Sequence, residues 1–252
     1  MKKSIIVSIL IASAIIASIA LSGCTEEEVN KIIVGTSADF PPFEYVDENQ
    51  KIVGFDIDAI KYILKDQGYT VEVQDIAFDS LIASLQAGKI DVIAAGMTIT
   101  EERDEQIDFS DSYFEADQSI LINADSDIII NDIEDLINLT IGASTGTTGA
   151  MWMEDYYIER NNTDQTEKYE TYTLAVLDLE NENLDAIIID KPVALFFEEL
   201  HDFEIVLTII TNEYYGFGVK EGNTELQNDI NEGLENLRSS EEWNTLITKY
   251  FE

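Results

Sequence analysis

The sequence Ala94-Ala95-Gly96-Met97-Thr98-Ile99-Thr100-Glu101-Glu102-Arg103 follows a short apolar segment, residues 89–94, that is rich in β-branched side chains. The apolar segment predicts a buried strand. Thr100 suits a helix N-cap, and the acidic Glu101 and Glu102 suit a first helical turn. A strand that ends in a small-residue loop and opens a helix is the usual anion-binding geometry of α/β sheets. This stretch therefore predicts an α/β fold with an anion site where the strand ends.

Arg103 is the cation of this stretch and one of only three arginines in the chain. It stands in the first helical turn, where the helix dipole disfavours a positive charge. An anionic partner at this position would account for it. The alternative is an exposed arginine that pairs with Glu101 or Glu102. Both interpretations stay open on this stretch alone.

The composition is strongly acidic, with 51 acidic and 14 basic residues among 252 and a formal net charge of −37. This charge argues against nucleic-acid binding, which needs clustered Lys and Arg to replace phosphate counterions. It argues equally against adhesion of the surface to anionic lipid. The hydrophobic fraction of 45% excludes general disorder. We therefore expect a folded protein with an acidic surface and no nucleic-acid partner, and we expect a monomer.

The N-terminus has the order of a secretory signal: two lysines, a nearly continuous apolar run over 4–20, and then Leu21-Ser22-Gly23-Cys24. The last four residues resemble the lipobox of secreted lipoproteins, in which cleavage before the cysteine leaves its thiol to carry lipid. Cys24 is the only cysteine, so no intramolecular disulfide is expected. An uncleaved membrane anchor over 4–23 is the alternative. We predict an extracytoplasmic, lipid-anchored protein with a signal peptide over 1–23, lipid on Cys24 and a tether over 24–30.

The rest of the sequence alternates strand-like and helix-like segments. Up to Arg103 the predicted order of strand, hairpin, helix, strand, helix and strand implies a parallel sheet. The second half repeats this order, because residues 184–190 mirror residues 90–96: each is an apolar strand with an early aspartate that leads into a polar loop. In this half we also predict a short strand over 170–173 and a helix over 174–181.

No linker rich in Pro, Gly or Ser separates the two halves. We therefore expect strand-like crossings near 116–118 and 210–214, and short paired crossings of this kind act as hinges. Each half presents loops at the carboxyl ends of its strands, where α/β sheets bind ligands. The predicted domains are lobe 1, from residues 31–116 and 213–252, and lobe 2, from residues 117–212.

Five motifs occur in a fixed order between residues 31 and 252, and they are Gly35-Thr36-Ser37-Ala38-Asp39-Phe40-Pro41-Pro42-Phe43-Glu44-Tyr45, Val53-Gly54-Phe55-Asp56-Ile57-Asp58, residues 91–103, Ile107-Asp108-Phe109-Ser110-Asp111-Ser112-Tyr113 and residues 243–251. Together they resemble the extracytoplasmic solute-binding proteins of polar amino-acid ABC importers, of the bacterial family 3 type. The resemblance implies a periplasmic binding protein-like fold of type II, with two Rossmann-like α/β lobes and a ligand cleft between them. It implies capture of a free L-amino acid and delivery to a membrane permease driven by an ATPase, without catalysis, metal or cofactor.

The resemblance also implies which residues of lobe 1 bind the ligand. Arg103 would fork onto the α-carboxylate, which a planar guanidinium suits better than a lysine would. The Thr98 hydroxyl and the backbone at Ala95 and Gly96 would complete that end of the site.

Two residues of lobe 2 are implied at the same site. Thr148 would add a hydrogen bond to the α-carboxylate, and Asp190 would accept hydrogen bonds from the α-ammonium. The alternative for Asp190 is a helix N-cap before Lys191-Pro192. An arginine and an aspartate that face each other across a cleft suit a zwitterion.

The ligand's side chain would lie between Phe40 and Phe78, although each ring could instead belong to the core. Members of the family that take basic or amide ligands often carry Asp where this chain has Ser37. A neutral or polar ligand is therefore expected over a basic one. Asp39 could restore the acidity if it pointed inward, but we expect it to be a solvated loop acid.

Two other classes of function remain as alternatives. The first is an enzyme on the same fold, such as a cyclohexadienyl or arogenate-type dehydratase, because one fold supports many functions. It would need a cleft carboxylate with a raised pKa, for which Asp39 and Glu213 are the candidates. The second is an amino-acid sensor module, whose ligand-binding domain would look identical in sequence.

Overall fold

The described part of the chain covers residues 30–252 of a computed structural model. The predicted signal peptide over 1–23, the lipid attachment at Cys24 and nearly all of the tether over 24–30 lie outside the described residues. Within the described range, no helix has both the length and the apolar character needed to cross a membrane.

The strands of this range, in chain order, are β1 (Lys31–Thr36), β2 (Asp39–Phe40), β3 (Glu44–Val46), β4 (Ile52–Val53), β5 (Thr70–Asp75), β6 (Val92–Ile93), β7 (Ile107–Phe109), β8 (Phe114–Asn123), β9 (Ile141–Ser144), β10 (Thr166–Tyr169), β11 (Ala186–Asp190), β12 (Phe203–Tyr215) and β13 (Gly218–Lys220). The α-helices are α1 (Phe55–Asp66), α2 (Leu81–Gln86), α3 (Glu101–Asp104), α4 (Thr148–Glu159), α5 (Tyr172–Glu180), α6 (Lys191–Leu200), α7 (Thr224–Ser239) and α8 (Glu241–Phe251). Short 3-10 helices cover Phe78–Ser80, Ile133–Asn138 and Thr163–Gln165.

The first sheet has the strand order β5-β1-β6-β13-β7. Strand β1 pairs in parallel with β5 and β6, as expected for strands joined by helical crossovers. Strand β13 returns from the C-terminal part of the chain and pairs antiparallel with β6 and β7. The apolar stripe of α1, which comprises Ile57, Ile60, Ile63 and Leu64, is fully buried. Burial of this stripe holds α1 in the core, and a separate three-stranded sheet, β2-β3-β4, precedes it.

The second sheet has the order β10-β9-β11-β8-β12 and gives the molecule its second α/β lobe. Strand β9 is parallel to β10 and β11, whereas β8 runs antiparallel to β11 and β12. The strand predicted over 170–173 is wrong, because β10 ends at Tyr169 and α5 begins at Tyr172. The reason is Thr171, whose hydroxyl accepts a hydrogen bond from the Leu174 amide and caps α5.

Strands β8 and β12 are the longest pair and run along each other from the second sheet to the partners Phe114 and Tyr215. Their register shifts between Ile209 and Glu213. The amides of Thr211 and Asn212 both donate to the Asp117 carboxylate there, at 2.9 and 3.1 Å. The register shift coincides with the lobe boundaries predicted at 116/117 and 212/213. The boundaries themselves stay predictions. The mixed α/β fold with two sheet-rich lobes is confirmed.

Candidate ligand-binding site

A cavity lies where loops from both sheets meet, beyond the carboxyl ends of β1, β6, β9 and β11. The nine predicted ligand-binding residues all line it: Ser37, Phe40, Phe78, Ala95, Gly96, Thr98, Arg103, Thr148 and Asp190. Five further residues complete the wall, namely Asp39, Glu44, Ser144, Thr147 and Tyr172. The structure thus brings the predicted residues together, and their individual roles toward a ligand stay predictions.

Arg103 is held inside this cavity, with only 4% of its surface exposed. Its guanidinium donates to the carbonyl oxygens of Thr98 at 2.6 Å and of Gly146 at 3.0 Å, so it reaches across to the second lobe. The guanidinium carbon also lies 5.4 Å from the centre of the Phe78 ring. Thr100 caps α3 as predicted, by accepting from the Arg103 amide. The alternative of an exposed Arg103 is therefore wrong.

Burial destabilises the cationic form of Arg103, and neighbouring carboxylates stabilise it. Burial lowers the pKa of Arg103, and the carboxylates of Glu213 and Asp190 favour the cationic form. A guanidinium has five N–H groups, and two of its nitrogens donate to backbone carbonyls here. The remaining donor capacity is available to an anion in the cavity.

Gly96 lets the backbone come close to an aromatic ring. It has a φ of +50°, and a Cβ atom added to it would lie 2.8 Å from Phe40 Cε1. Its amide donates to the buried Asp56 carboxylate at 2.8 Å, which fixes the loop that follows β6. Ala95, the residue before it, is 1% exposed. The space between the loop and Phe40 therefore requires glycine at position 96.

Asp190 ends β11 and is buried. One of its carboxylate oxygens accepts from Gln118 Nε2 at 2.9 Å, and its side chain makes no capping hydrogen bond to α6. Asp190 therefore stands at the N-cap position of α6, as the alternative interpretation has it, but its side chain does not cap the helix. Burial and, to a smaller extent, the nearby charge of Glu213 raise the pKa of Asp190 to about 7. A cation beside Asp190 would favour its ionised form.

Asp39 also faces the cavity, and the expectation of a solvated loop acid is wrong. The Asp39 amide donates to the Ser37 carbonyl, which makes a tight turn and brings both side chains to the same side. Ser37 Oγ donates to one carboxylate oxygen at 3.0 Å, and the Tyr172 amide at the start of α5 donates to the other at 2.5 Å. Burial raises the pKa of Asp39 to about 6.

Glu44 is the cavity residue that sequence reasoning missed most clearly. It is 0% exposed, and neither carboxylate oxygen makes a hydrogen bond to any residue in the described part of the chain. Burial raises its pKa well above the usual range, and the charges of Asp56 and Asp39 add to the effect. A buried polar group without a partner calls for an explanation. The only sequence signal was the position of Glu44 within the first quoted motif.

Aromatic side chains contribute to the lining of the cavity. Phe40 is 8% exposed, and its ring centre lies 5.6 Å from that of Tyr172. Phe78 is partly buried against the core of the first lobe and carries the Arg103 guanidinium on its face. Both rings line the cavity as predicted, and both also contact core residues.

Glu213 connects the polar residues of the site to the long strand pair. Its carboxylate accepts from the hydroxyls of Thr98 at 2.8 Å and Thr148 at 2.5 Å. Gln118 Nε2 donates to its other oxygen at 3.2 Å. The sequence pointed to Glu213 only as a candidate for an enzymatic acid, and its contacts depend on how β8 and β12 pair. Over residues 30–252, no group of three or more His, Cys, Asp and Glu side chains is placed to hold a metal ion.

Comparisons with known proteins agree with this architecture. Residues 32–252 match the family of bacterial extracellular solute-binding proteins, family 3. The arginine-binding extracellular protein ArtP of Bacillus subtilis (strain 168) is 33% identical over 264 residues, a match that covers 100% of this chain and 98% of ArtP.

Solved structures are similar over most of the chain. An ancestral arginine-binding protein bound to arginine superposes with a TM-score of 0.83 at 38% identity, covering 88% of this chain and 99% of that one. The ancestral amino acid-binding protein AncCDT-1, a precursor of cyclohexadienyl dehydratase, has a TM-score of 0.81 at 32% identity, covering 88% and 96%. With its two α/β lobes and its cavity between strand ends, the chain belongs to the bacterial extracellular solute-binding proteins of family 3.

Proposed function

We propose that this protein captures a free L-amino acid with a cationic side chain outside the cell and delivers it to an ABC permease and its ATPase. The observation that carries the proposal is the presence of Asp39 and Glu44 in a cavity that also holds Arg103 and Asp190. An arginine-type ligand has one carboxylate and two cationic groups. Each of these charges would meet a buried opposite charge, which is what makes burial of an ion tolerable. The arginine-binding relatives support this substrate class.

The α-carboxylate and α-ammonium would bind at the Arg103 end of the cavity. The free N–H groups of Arg103 would donate to the carboxylate, next to the backbone of Ala95 and Gly96. The carboxylate oxygen of Asp190 that does not accept from Gln118 would accept from the ammonium. Arg103 and Asp190 lie close enough for each charge to shift the pKa of the other group. This end would therefore recognise the part that all L-amino acids share.

The side-chain cation would bind Asp39 and Glu44, and its aliphatic stem would pass between Phe40 and Phe78. The unpaired oxygens of Glu44 would then gain the donors that the described residues do not supply. The preference for a neutral or polar ligand, argued from Ser37, finds no support in this geometry. Ser37 lacks a charge, but its hydroxyl holds Asp39 in the cavity wall.

We infer binding rather than catalysis, although Asp39 has the raised pKa that a proton donor needs. AncCDT-1, the neighbour linked to a dehydratase, is itself described as an amino acid-binding protein. Incubation with prephenate and arogenate should leave both unchanged by nuclear magnetic resonance. Formation of a dehydrated product would support the enzymatic alternative instead.

We also propose that the protein acts as a monomer, that lipid on Cys24 ties it to the membrane, and that its lobes meet at 116/117 and 212/213. A sensor role through a separate partner remains the third class of function. Mass spectrometry of Cys24 from membranes of the producing cells would test the lipid. Reconstitution with a candidate permease in vesicles would test delivery.

The substrate class is tested by a thermal-shift and calorimetric screen with arginine, lysine, histidine, glutamine and glutamate. A ligand that binds only the native state raises the melting temperature by mass action. We expect the largest shift with a cationic amino acid and none with glutamate. Glu44→Gln should weaken arginine binding about tenfold and leave glutamine binding unchanged, since a charged hydrogen bond is lost. Asp127→Asn, at an exposed position, is the control.

A larger shift with glutamine or glutamate than with any cationic amino acid would contradict the proposed substrate class. A flat screen would contradict amino-acid capture altogether.

A further inference from the structure

Glu213 occupies a central position that the proposed ligand contacts do not explain. Its carboxylate accepts hydrogen bonds from three side chains that belong to three separate segments: Thr98 after β6, Gln118 on β8 and Thr148 at the start of α4. It lies on β12, at the register shift of the long strand pair. A single side chain on the crossing strand therefore connects a loop of the first lobe with a helix of the second.

The two hydroxyls share one carboxylate oxygen. Thr98 Oγ1 and Thr148 Oγ1 both lie within 2.8 Å of Glu213 Oε2. Both contacts at once require the loop after β6 and the first turn of α4 to be close together. A separation of the lobes must break at least one of them. The arrangement is thus specific to the closed cleft.

The hydrogen-bond directions also determine what these hydroxyls offer to a ligand. A threonine hydroxyl has one proton, and each of these donates its proton to Glu213. Thr98 and Thr148 therefore present only lone pairs to the cavity, whereas the family resemblance implied that Thr148 bonds to the α-carboxylate and that the Thr98 hydroxyl completes that end of the site. Donation to the α-carboxylate is then left to Arg103, because the Gly96 amide already donates to Asp56.

We propose that Glu213 is a positioning residue that couples closure of the lobes to amino-acid capture, by orienting the hydroxyls of Thr98 and Thr148 and joining them when the cleft closes. The inference deepens the proposed function and rests on it. Glu213 supports the parts of the site that contact the shared α-amino-acid group. Its loss should therefore affect arginine and glutamine equally, unlike the loss of Glu44.

The test compares Glu213→Ala and Glu213→Gln with Glu204→Gln, a matched control at an exposed position of the same strand. Cysteines replace the exposed residues Glu105 and Glu167, one in each lobe, and carry spin labels. The full chain is used with Cys24→Ser, so that only these two cysteines are labelled. Pulsed electron paramagnetic resonance then measures the distance between the lobes. Distances are recorded across an arginine titration and without any amino acid. Affinities for arginine and glutamine are measured on the unlabelled variants.

We expect Glu213→Ala to lower the fraction of molecules that show the short distance between the spin labels, which is the closed state, at every subsaturating arginine concentration. It should weaken arginine and glutamine binding alike, by about tenfold or more, since hydrogen bonds to a charged group are lost. Glu213→Gln keeps an acceptor oxygen and should restore part of both effects. Glu204→Gln should match the wild type, and the urea midpoint of all variants should stay near that of the wild type.

A wild-type distance distribution in Glu213→Ala would overturn the proposal, and so would loss of arginine affinity alone with glutamine affinity intact. If the wild type bound no amino acid, the proposed function would fail. In that case the distances without amino acid would still decide the role of Glu213, because a distribution identical to that of the wild type would overturn it.

Discussion

Arg103 is charged and buried, and its guanidinium still has N–H groups that a ligand can accept from. Its guanidinium lies 4% exposed between the carbonyl oxygens of Thr98 and Gly146, one from each lobe. Carbonyl oxygens compensate only part of the lost hydration, and burial accordingly lowers its pKa. A carboxylate ligand would supply the missing compensation. The same side chain therefore contacts both lobes and would also bind the α-carboxylate of the ligand.

We predict that Arg103→Lys keeps the charge and loses most of the arginine affinity. An ammonium cannot reproduce the planar fork that reaches two carbonyls and a carboxylate together. The expected loss is about 10- to 100-fold in Kd, which is the loss of one or two charged hydrogen bonds, and Arg103→Ala should abolish binding. Calorimetry measures both.

Arg160→Lys is the control for this prediction, because Arg160 pairs with Glu134 and stacks on Tyr156, outside the cavity. A wild-type Kd in Arg103→Lys would contradict the assignment.

The start of helix α1 illustrates how an element is positioned by a backbone contact. Gly54 precedes the helix with a φ of +137°, and the amides of Phe55 and Asp56 donate to the carbonyls of Pro42 and Phe43. A Cβ atom at Gly54 would lie 2.0 Å from the Phe43 carbonyl oxygen. Only glycine permits this approach. The contact joins α1 to the loop that carries Phe40 and Glu44.

We predict that Gly54→Ala lowers the free energy of unfolding by about 3 kcal/mol or more, because the clash involves backbone and the φ is unfavourable for alanine. Gly68→Ala, after the end of the same helix, also has a positive φ of +84°, but no atom lies within 4 Å of its added Cβ. It should cost only about 1 kcal/mol. Urea denaturation of both variants checks the difference, and equal losses would contradict the steric explanation.

The molecule as a whole is a polyanion with one concentrated acidic site. Its net charge is −37, and the pKa values of Asp39 and Asp190 are raised to about 6 and about 7, mainly by burial. Raised pKa values mean that the folded protein binds more protons than the unfolded chain between about pH 4 and 7. The stability contributed by these groups is therefore present below pH 4 and is lost as the pH rises through 6 and 7. A cationic ligand reverses this effect, because it favours the ionised carboxylates.

We predict that the affinity for arginine rises between about pH 5 and pH 7, the range in which Asp39 and Asp190 lose their protons. Below the raised pKa values, a carboxyl group must release a proton before it pairs with the cation, and this release weakens binding. Glutamine shares the ammonium that faces Asp190 but has no side-chain cation for Asp39. Its affinity should rise less, so the ratio of the two affinities should increase with pH. Calorimetry at pH 5, 6, 7 and 8 measures the ratio, and a ratio that is constant or falls with pH would contradict the role of Asp39.

The amino-acid sequence predicted the two α/β lobes and the capped helix at Thr100 from local patterns, and the family resemblance added nine of the fourteen residues that line the cavity. Apolar periodicity and capping are local properties, so they can be recognised without knowledge of the partners. Local reasoning failed at residues 170–173, which we predicted as a strand, because Thr171 caps a helix there.

Only the tertiary structure decided the acidity of the cavity and the role of Glu213. Asp39 faces inward because a tight turn at Ser37 and the amide of Tyr172, 133 residues later, both hold its carboxylate. Glu213 meets Thr98 because β12 crosses from one sheet to the other. Burial and charge at these positions arise from contacts between segments distant in the chain, and the sequence around each residue carries no record of such contacts.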